Sequence, residues 1–485
     1  MIDAPETVSV SREIDEFPEI IQGGMGIAIS GYKLANAVGK AGQMGVVSGT
    51  VIDVVHARKL QNGDTNGDLR RAYSHFPIPE IAQRVLDQYF VEGGKEPSKP
   101  YKNVPAWSVD PPRDLIELCI VANFAEVFLA KEGHGNPIGI NYLEKIQLPV
   151  VASTLGAMLA GVDAILMGAG IPKQMPKLIR DLASNKCGTY KIDVEGSLPG
   201  EVYSISLDPQ EILGSKIPLK APRFLAIISS NTLANFLKKD PGSRPDGFIV
   251  ELPSAGGHNS PPRGVLQLDD NGQPVYGERD YPHFETLAEL QIPFWIAGSW
   301  AKPNKLQEAR VLGARGIQVG TAFAFSDESG FDIKIKRLVF EQVRLGNAKV
   351  FTDPVASPSG FPFKVVQLPG TISELEIYQS RRRVCDLSYL RSYYRQEDGT
   401  VGYRCSAEPV DAFVRKGGTV EGAQGKKCLC NALMGNIGLG QVRRGVEELP
   451  LVTSGDDLTE MITTIGGVNG RYSAKDVIDY ILNGN

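Results

Sequence analysis

The chain has 485 residues, of which 42% are hydrophobic and 22% charged, and its formal net charge is −5. This is an ordinary globular composition, and without a basic excess it argues against a nucleic-acid partner. Six cysteines are too sparse for a secreted disulfide scaffold.

The opening stretch, "MIDAPETVSVSREIDEF", is acidic and has no apolar core. It does not read as a signal peptide, and a cytoplasmic protein is expected. Short apolar runs then alternate with helical sequence. They are "EIIQGG" (19–24), "MGVVSG" (44–49), "PIGINYL" (137–143), "DAILMGAG" (163–170), "RFLAIISS" (223–230), "GFIVELPSAGG" (247–257), "PFWIAGS" (293–299) and "GIQVGTAF" (316–323). Each reads as a buried strand that closes on glycine, serine or a polar turn. Alternation of this kind predicts parallel strands with crossover helices. An internal echo, "LAGVDAILMGAG" (159–170) against "VLGARGIQVGTA" (311–322), favours a closed (β/α)8 TIM barrel over an open doubly wound sheet.

The segment 150–170 has the length of a membrane span and one charge, Asp163. Ser153, Thr154 and its glycines divide it instead into a helix, a stop and a short strand, so no membrane partner is expected. Two interruptions, about 50–118 and 171–222, read as insertions. The first is loop-like around an amphipathic helix near 79–90, and the second is a small β insertion expected over the mouth. From about 365 the barrel period is lost. The expected division is a barrel over 1–364 and a C-terminal extension over 365–485 packed on it.

Four strand ends are glycine-rich: "QGGMG", "SAGGH", "IAGSW" and "QVGTA". In a parallel barrel these ends face the site. Glycine lets backbone N–H groups approach a ligand closely. The ends of the last two strands stand where barrels commonly hold a phosphate. The Gly-x-Gly-x-x-Gly spacing of a dinucleotide fold is absent after the first strand, which suits FMN better than NAD.

Three stretches carry a likeness to a known family: "IIQGGMG", "AGGHN" and "PFWIAGS…LGARGIQVGTAFAFSDES". They resemble the nitronate monooxygenases, once called 2-nitropropane dioxygenases. "NFAEVFLAKEGHGNPIGINYLEKIQLP" and "PSAGGHNSPPRG" are similar to a long-chain branch that includes trans-acting enoyl reductases of polyketide and polyunsaturated-fatty-acid synthases. Across roughly 18–365 the resemblance implies a TIM barrel with non-covalent FMN. Gly23, Gly24, Met25 and Gly26 would contact the flavin, with Gly256 and Gly257 beside it. Ala297, Gly298, Ser299, Gln318, Val319, Gly320 and Thr321 would hold its phosphate. His258 matches the family's active-site histidine. Asn141 and Lys145 flank the end of the third strand, where a lysine would either stabilise the reduced ring or stand solvated on the surface. Two departures stand out. Ser299 takes the place of a glycine, and the usual Gly-Gly-His-x-Gly becomes Gly256-Gly257-His258-Asn259-Ser260.

An unperturbed imidazole titrates near ~6.5, so His258 is expected to handle the proton. His134 reads as structural, and His56, His75 and His283 have no supporting context. Cys385, Cys405, Cys428 and Cys430 fall within 46 residues, but their spacing does not support a metal, and none is assigned. The expected function is oxidation of alkyl nitronates with O2. The alternative is an NAD(P)H-dependent enoyl-thioester reductase served by a carrier protein, for which "QSRRRV" (379–384) is a candidate basic patch. A flavin-free barrel binding a phosphorylated metabolite is the third reading. The partners expected are a small-molecule substrate and O2. The sequence is silent on oligomeric state.

Overall fold

The computed structural model describes residues 9–466 and 470–484. Residues 1–8, part of the stretch read as lacking a signal peptide, lie outside them. All eight expected runs are strands: β1 (Ile20–Gln22), β2 (Gly45–Ser48), β3 (Ile138–Leu143), β4 (Ala164–Gly168), β5 (Arg223–Ile228), β6 (Gly247–Glu251), β7 (Phe294–Ala297) and β8 (Gly316–Val319). They pair in parallel from β2 in order through β8, and β8 pairs with β1. The protein is a (β/α)8 TIM barrel with added elements.

The seam between β1 and β2 closes differently from the other seven. Backbone bonds run from Gln22 N to Met44 O at 2.9 Å and from Met44 N to Ile20 O at 3.2 Å. The buried Gln22 side chain supplies the rest of the pairing. Its Nε2 donates to Val46 O at 3.2 Å, and its Oε1 accepts from Val46 N at 3.1 Å. An amide side chain thus replaces a missing rung, and buried backbone groups that would otherwise go unpaired are satisfied.

Alternate strand residues fill the barrel. Ile21, Met44, Val46, Leu166, Leu225, Ile249 and Trp295 form one closed cluster, and Phe17 packs into it. The opposite strand faces join the helices in a larger core. The 150–170 segment is the helix Val150–Leu159, a turn with Gly161 at φ +68, and β4. Among the described residues no helix is long and apolar enough to cross a membrane.

The first insertion is helical: Ile52–Gln61, Asp68–Tyr73 and Pro79–Tyr89 precede the long crossover helix Arg113–Lys131. It gives His56 a context that the sequence did not show. His56 Nε2 meets Glu126 Oε2 at 2.9 Å and Nδ1 meets the Tyr73 hydroxyl at 3.2 Å, all of them buried. His134 is structural as expected, since its Nε2 donates to Ala130 O at 2.9 Å and closes the long crossover helix. The second insertion holds an antiparallel pair, Gly188–Lys191 with Ser204–Leu207. Next to it Val194–Glu195 pairs with Tyr393–Tyr394 of the C-terminal extension.

The extension is woven into the barrel. Its expected start at 365 falls inside the strand Phe363–Gln367, which pairs antiparallel with Lys349–Asp353. The helix Leu458–Gly466 packs on Thr321–Ala324, directly after β8. The helix Ala474–Asn483 packs on both Pro303–Val311 and Tyr32–Lys40.

Barrel closure has a steric test. A Cβ on Gly316 would lie 1.9 Å from Glu19 O, the carbonyl that accepts the Ile317 N–H across the β8–β1 seam. Gly316→Ala is expected to cost about 1–3 kcal/mol, the usual range for overpacking. Gly135→Ala, with nothing within 4 Å of the added carbon, should leave the thermal midpoint unchanged; equal midpoints for the two variants would refute the account of the seam.

Candidate active site

The strand C-termini open into a cavity of about 1530 Å³, its mouth included. Gly23, Gly24, Met25, Gly26, Asn141, Gly256, Gly257, His258, Ala297, Gly298, Ser299, Gln318, Val319, Gly320 and Thr321 all line it. Lys145 does not. It stands beyond the end of β3, its ammonium is 3.5 Å from Glu144 Oε2, and it faces a neighbouring groove. The expected role of Lys145 beside a flavin ring is therefore corrected: its side chain points into that groove, although the next residue, Ile146, lines the cavity.

Each glycine end has its own reason. A Cβ on Gly24 would stand 2.2 Å from Asn141 Cβ, so β1 can pass β3 only as bare backbone. Gly298 adopts φ +102, and its added carbon would meet Ser254 Oγ at 2.9 Å. Ser299, where a glycine was expected, takes φ +57. It keeps the left-handed turn that a glycine would make, at the cost non-glycine residues bear there. Its hydroxyl oxygen is buried without a partner, as are Gln318 Oε1 and Ser454 Oγ. Gly320 has an ordinary φ of −109, and only Met25 Sδ, at 3.7 Å, is near its added carbon.

The extension completes the site. Gly256 is glycine because a Cβ would lie 2.7 Å from the Ser454 carbonyl carbon and 2.8 Å from Gly455 N. Gly257 takes φ +81 and donates its N–H to Thr453 Oγ1 at 2.9 Å. The next residues run beside the strand Phe363–Gln367. Lys364 N donates to Gly257 O and Asn259 N to Pro362 O, each at 2.9 Å. Asn259, where the family pattern leaves a variable position, is buried and donates its amide to Ala255 O at 2.9 Å. The helix Leu429–Gly435 adds Leu429, Cys430 and Leu433 to the cavity wall beside Leu143 and Ile146.

His258 is not the free imidazole that the sequence suggested. Its Nε2 is 2.7 Å from Ser357 Oγ, and Phe363 meets its ring edge-on at 4.9 Å. Burial pushes its pKa down to about 4. It is a neutral, positioned ring at pH 7, and the expectation that it titrates near neutrality is corrected. The group that does titrate there is Glu251, the last residue of β6, whose carboxyl burial pushes up to about 7. Asp457 is a second carboxyl in the lining, raised by burial. Among the described residues no lysine or arginine lines the cavity.

Sequence reasoning missed Glu251 although it stands inside "IVELPSAGGHN"; a charged residue closing an apolar strand was the available signal. Ser454, Gly455 and Asp457 lie in "VTSGDD", which reads as any polar turn. The late cysteines are all free thiols, and among the described residues no cluster of His, Cys, Asp and Glu has the placement of a metal site. Cys385 is drawn down to about 7 by a hydrogen bond with the Cys405 thiol. Of the basic patch, Arg381 binds Glu448 Oε1 at 2.5 Å and Arg383 donates to Ser406 O and Ala423 O, so both are spent internally.

No family model and no curated protein matches the chain. Solved structures do. FabK from Thermotoga maritima is 16% identical over 97% of this chain and 93% of its own, with a TM-score of 0.47. A nitroalkane oxidase from Streptomyces ansochromogenes is 13% identical over 96% and 95%, with a TM-score of 0.44. The enoyl reductase domain of MlnA, from the macrolactin biosynthesis cluster of Bacillus amyloliquefaciens, is 11% identical over 98% and 97%, with a TM-score of 0.48. At this identity and these scores the likeness decides neither activity nor ligand.

The raised Glu251 carboxyl makes stability depend on pH. Its folded value, about 7, lies above the ordinary 4.5. The stability it contributes is present below about 4.5 and is lost as pH rises through about 7. Glu251→Gln should match the wild type near pH 4 and exceed it above pH 8 by up to about 3 kcal/mol, measured by denaturant unfolding of ligand-free protein. A difference constant with pH would show that Glu251 is solvated.

Proposed function

We propose that the protein is an FMN-dependent oxidoreductase. The observation that carries this reading is the cavity at the strand C-termini. Bare glycine backbone from β1, β7 and β8 lines it, with unpartnered buried oxygens at Ser299, Gln318 and Ser454. The residues fit a flat, hydrogen-bonding ring on Gly23–Gly26 and a phosphate at Gly298, Ser299, Gly320 and Thr321. When bound, the flavin would supply hydride or electron transfer. The chain's own residues would do the rest. Leu143, Ile146, Leu429 and Leu433 would hold an alkyl chain away from water. Ser357 would fix the His258 ring so that its Nδ1 is free to hydrogen-bond substrate. Glu251 would hold or release the proton.

For the finer activity, nitronate oxidation with O2 rests on the motif resemblance. The second reading is an enoyl thioester reduced with NAD(P)H, whose alkyl chain would lie on the apolar wall of Leu143, Ile146, Leu429 and Leu433. Glu251 then serves as the acid. Anaerobic mixing of flavin-loaded protein with NADPH, and separately with a nitronate, tests this. Bleaching by NADPH alone supports the reductase, and bleaching by the nitronate alone supports the oxidase.

The pH profile carries the same distinction. If Glu251 donates a proton in reduction, kcat falls as pH rises through about 7. If it takes a carbon proton from a nitroalkane, kcat rises through the same value. In either case Glu251→Gln should lose about 10²–10⁴-fold in turnover and the pH step with it. A full-size pH step in Glu251→Gln would assign the proton to another group.

The phosphate position is tested at Gly320, where an added side chain meets open cavity. Gly320→Ala should fold and keep FMN. Gly320→Asp should fold and lose it, because like charges about 4 Å apart repel by roughly 4 kcal/mol at an effective dielectric of 20. Equal FMN content in both variants after dialysis would place the phosphate elsewhere.

A further inference from the structure

The proposed phosphate end of the cavity has no cation, yet it has a carboxyl. Asp457 is 8% exposed, and its Oδ1 has no hydrogen-bond partner. Its carboxyl meets the Thr321 hydroxyl. Thr321 Oγ1 in turn accepts the Gly455 N–H at 3.1 Å, so the 453–457 loop is tied to the end of β8. Beside it Ser454 is 4% exposed, and its hydroxyl is likewise unpartnered.

The neighbouring charges do not offset this carboxyl. Asp456 is held by Lys364 Nζ at 2.7 Å and Glu460 by Lys302 Nζ at 2.7 Å. Both cations are thereby committed, and both of those acids repel charge on Asp457. Tyr472 also faces it, but its hydroxyl donates to Ala322 O at 2.7 Å. A dianion and an ionised Asp457 would share one cation-free pocket, an arrangement that like-charge repulsion in a desolvated site opposes.

Resting on the FMN reading above, we propose that Asp457 is the proton-linked member of the phosphate site: the phosphate binds only with Asp457 protonated, its carboxyl O–H acting as a donor. One carboxyl of the C-terminal extension then decides which charge state the cavity accepts. The anion further stabilises the protonated form, so above the free carboxyl's titration each binding event takes up one proton. Affinity therefore falls as pH rises.

The test is a flavin fluorescence titration of the ligand-free protein from pH 6.5 to 8.5, with FMN and with riboflavin as the phosphate-free probe. With Glu251→Gln as the background, so that the other cavity carboxyl does not titrate, FMN affinity should weaken by up to about tenfold per pH unit, about a hundredfold over the range, and riboflavin should bind independently of pH. Asp457→Asn added to that background should bind FMN equally at every pH. A slope that survives in Asp457→Asn would put the proton on the phosphate, whose own second ionisation is near pH ~6, and overturn the proposal. A wild type whose FMN affinity does not change with pH overturns it too, while leaving the FMN reading intact. If the wild type binds neither flavin at any pH, the FMN reading falls and takes this proposal with it. Should Asp457→Asn not fold, Asp457→Ser replaces it. Calorimetry of the wild type at pH 8 in buffers of different ionisation heat then counts the protons: about one per FMN supports the proposal, and none overturns it.

Discussion

The close contact between the Ser454–Gly455 backbone and Gly256 is the constraint on which the site depends. Two stretches nearly two hundred residues apart meet there with no side chain between them. Around that contact the Gly257 N–H finds Thr453, Lys364 N finds Gly257 O, and the Lys364 ammonium holds Asp456. The loop after β6 is thereby fixed on both sides, and the direction of His258 follows from its backbone rather than from its own rotamer preference.

The electrostatics of the cavity come from the same packing. Phe361 and Phe363, brought in by the strand Phe363–Gln367, surround the imidazole, and Ser357 occupies its Nε2. Burial acts in opposite directions on the two titratable types. It lowers His258, which is neutral at pH 7, and raises Glu251, which is about half protonated there. Both shifts follow from the apolar wall and, among the described residues, from a lining without lysine or arginine.

The barrel was legible in the sequence because each strand is a short aliphatic run that stops at a glycine or polar turn, and because helices fill the gaps. The glycine ends were legible for the same reason, and all of them reach the cavity. Direction was not legible. Lys145 is only two residues past β3 and just before Ile146, which lines the cavity, but its side chain points into a different groove. Partners distant in sequence were not legible either. "VTSGDD" carries no period or motif, so nothing in it marked Asp457 as a neighbour of Thr321. The same holds for the His258 pKa, since the rings that bury it, Phe361 and Phe363, lie far along the chain at the end of the stretch assigned to the barrel.

The placement of the 453–457 loop has a consequence for the order of events during synthesis. All eight strands precede residue 320 and can assemble while later residues are still being made. The wall at Leu429–Leu433, the contact on Gly256 and the carboxyl of Asp457 come only afterwards. A nascent chain with a finished barrel therefore lacks a finished cavity. The cavity wall is complete only once the tail has threaded back over the mouth.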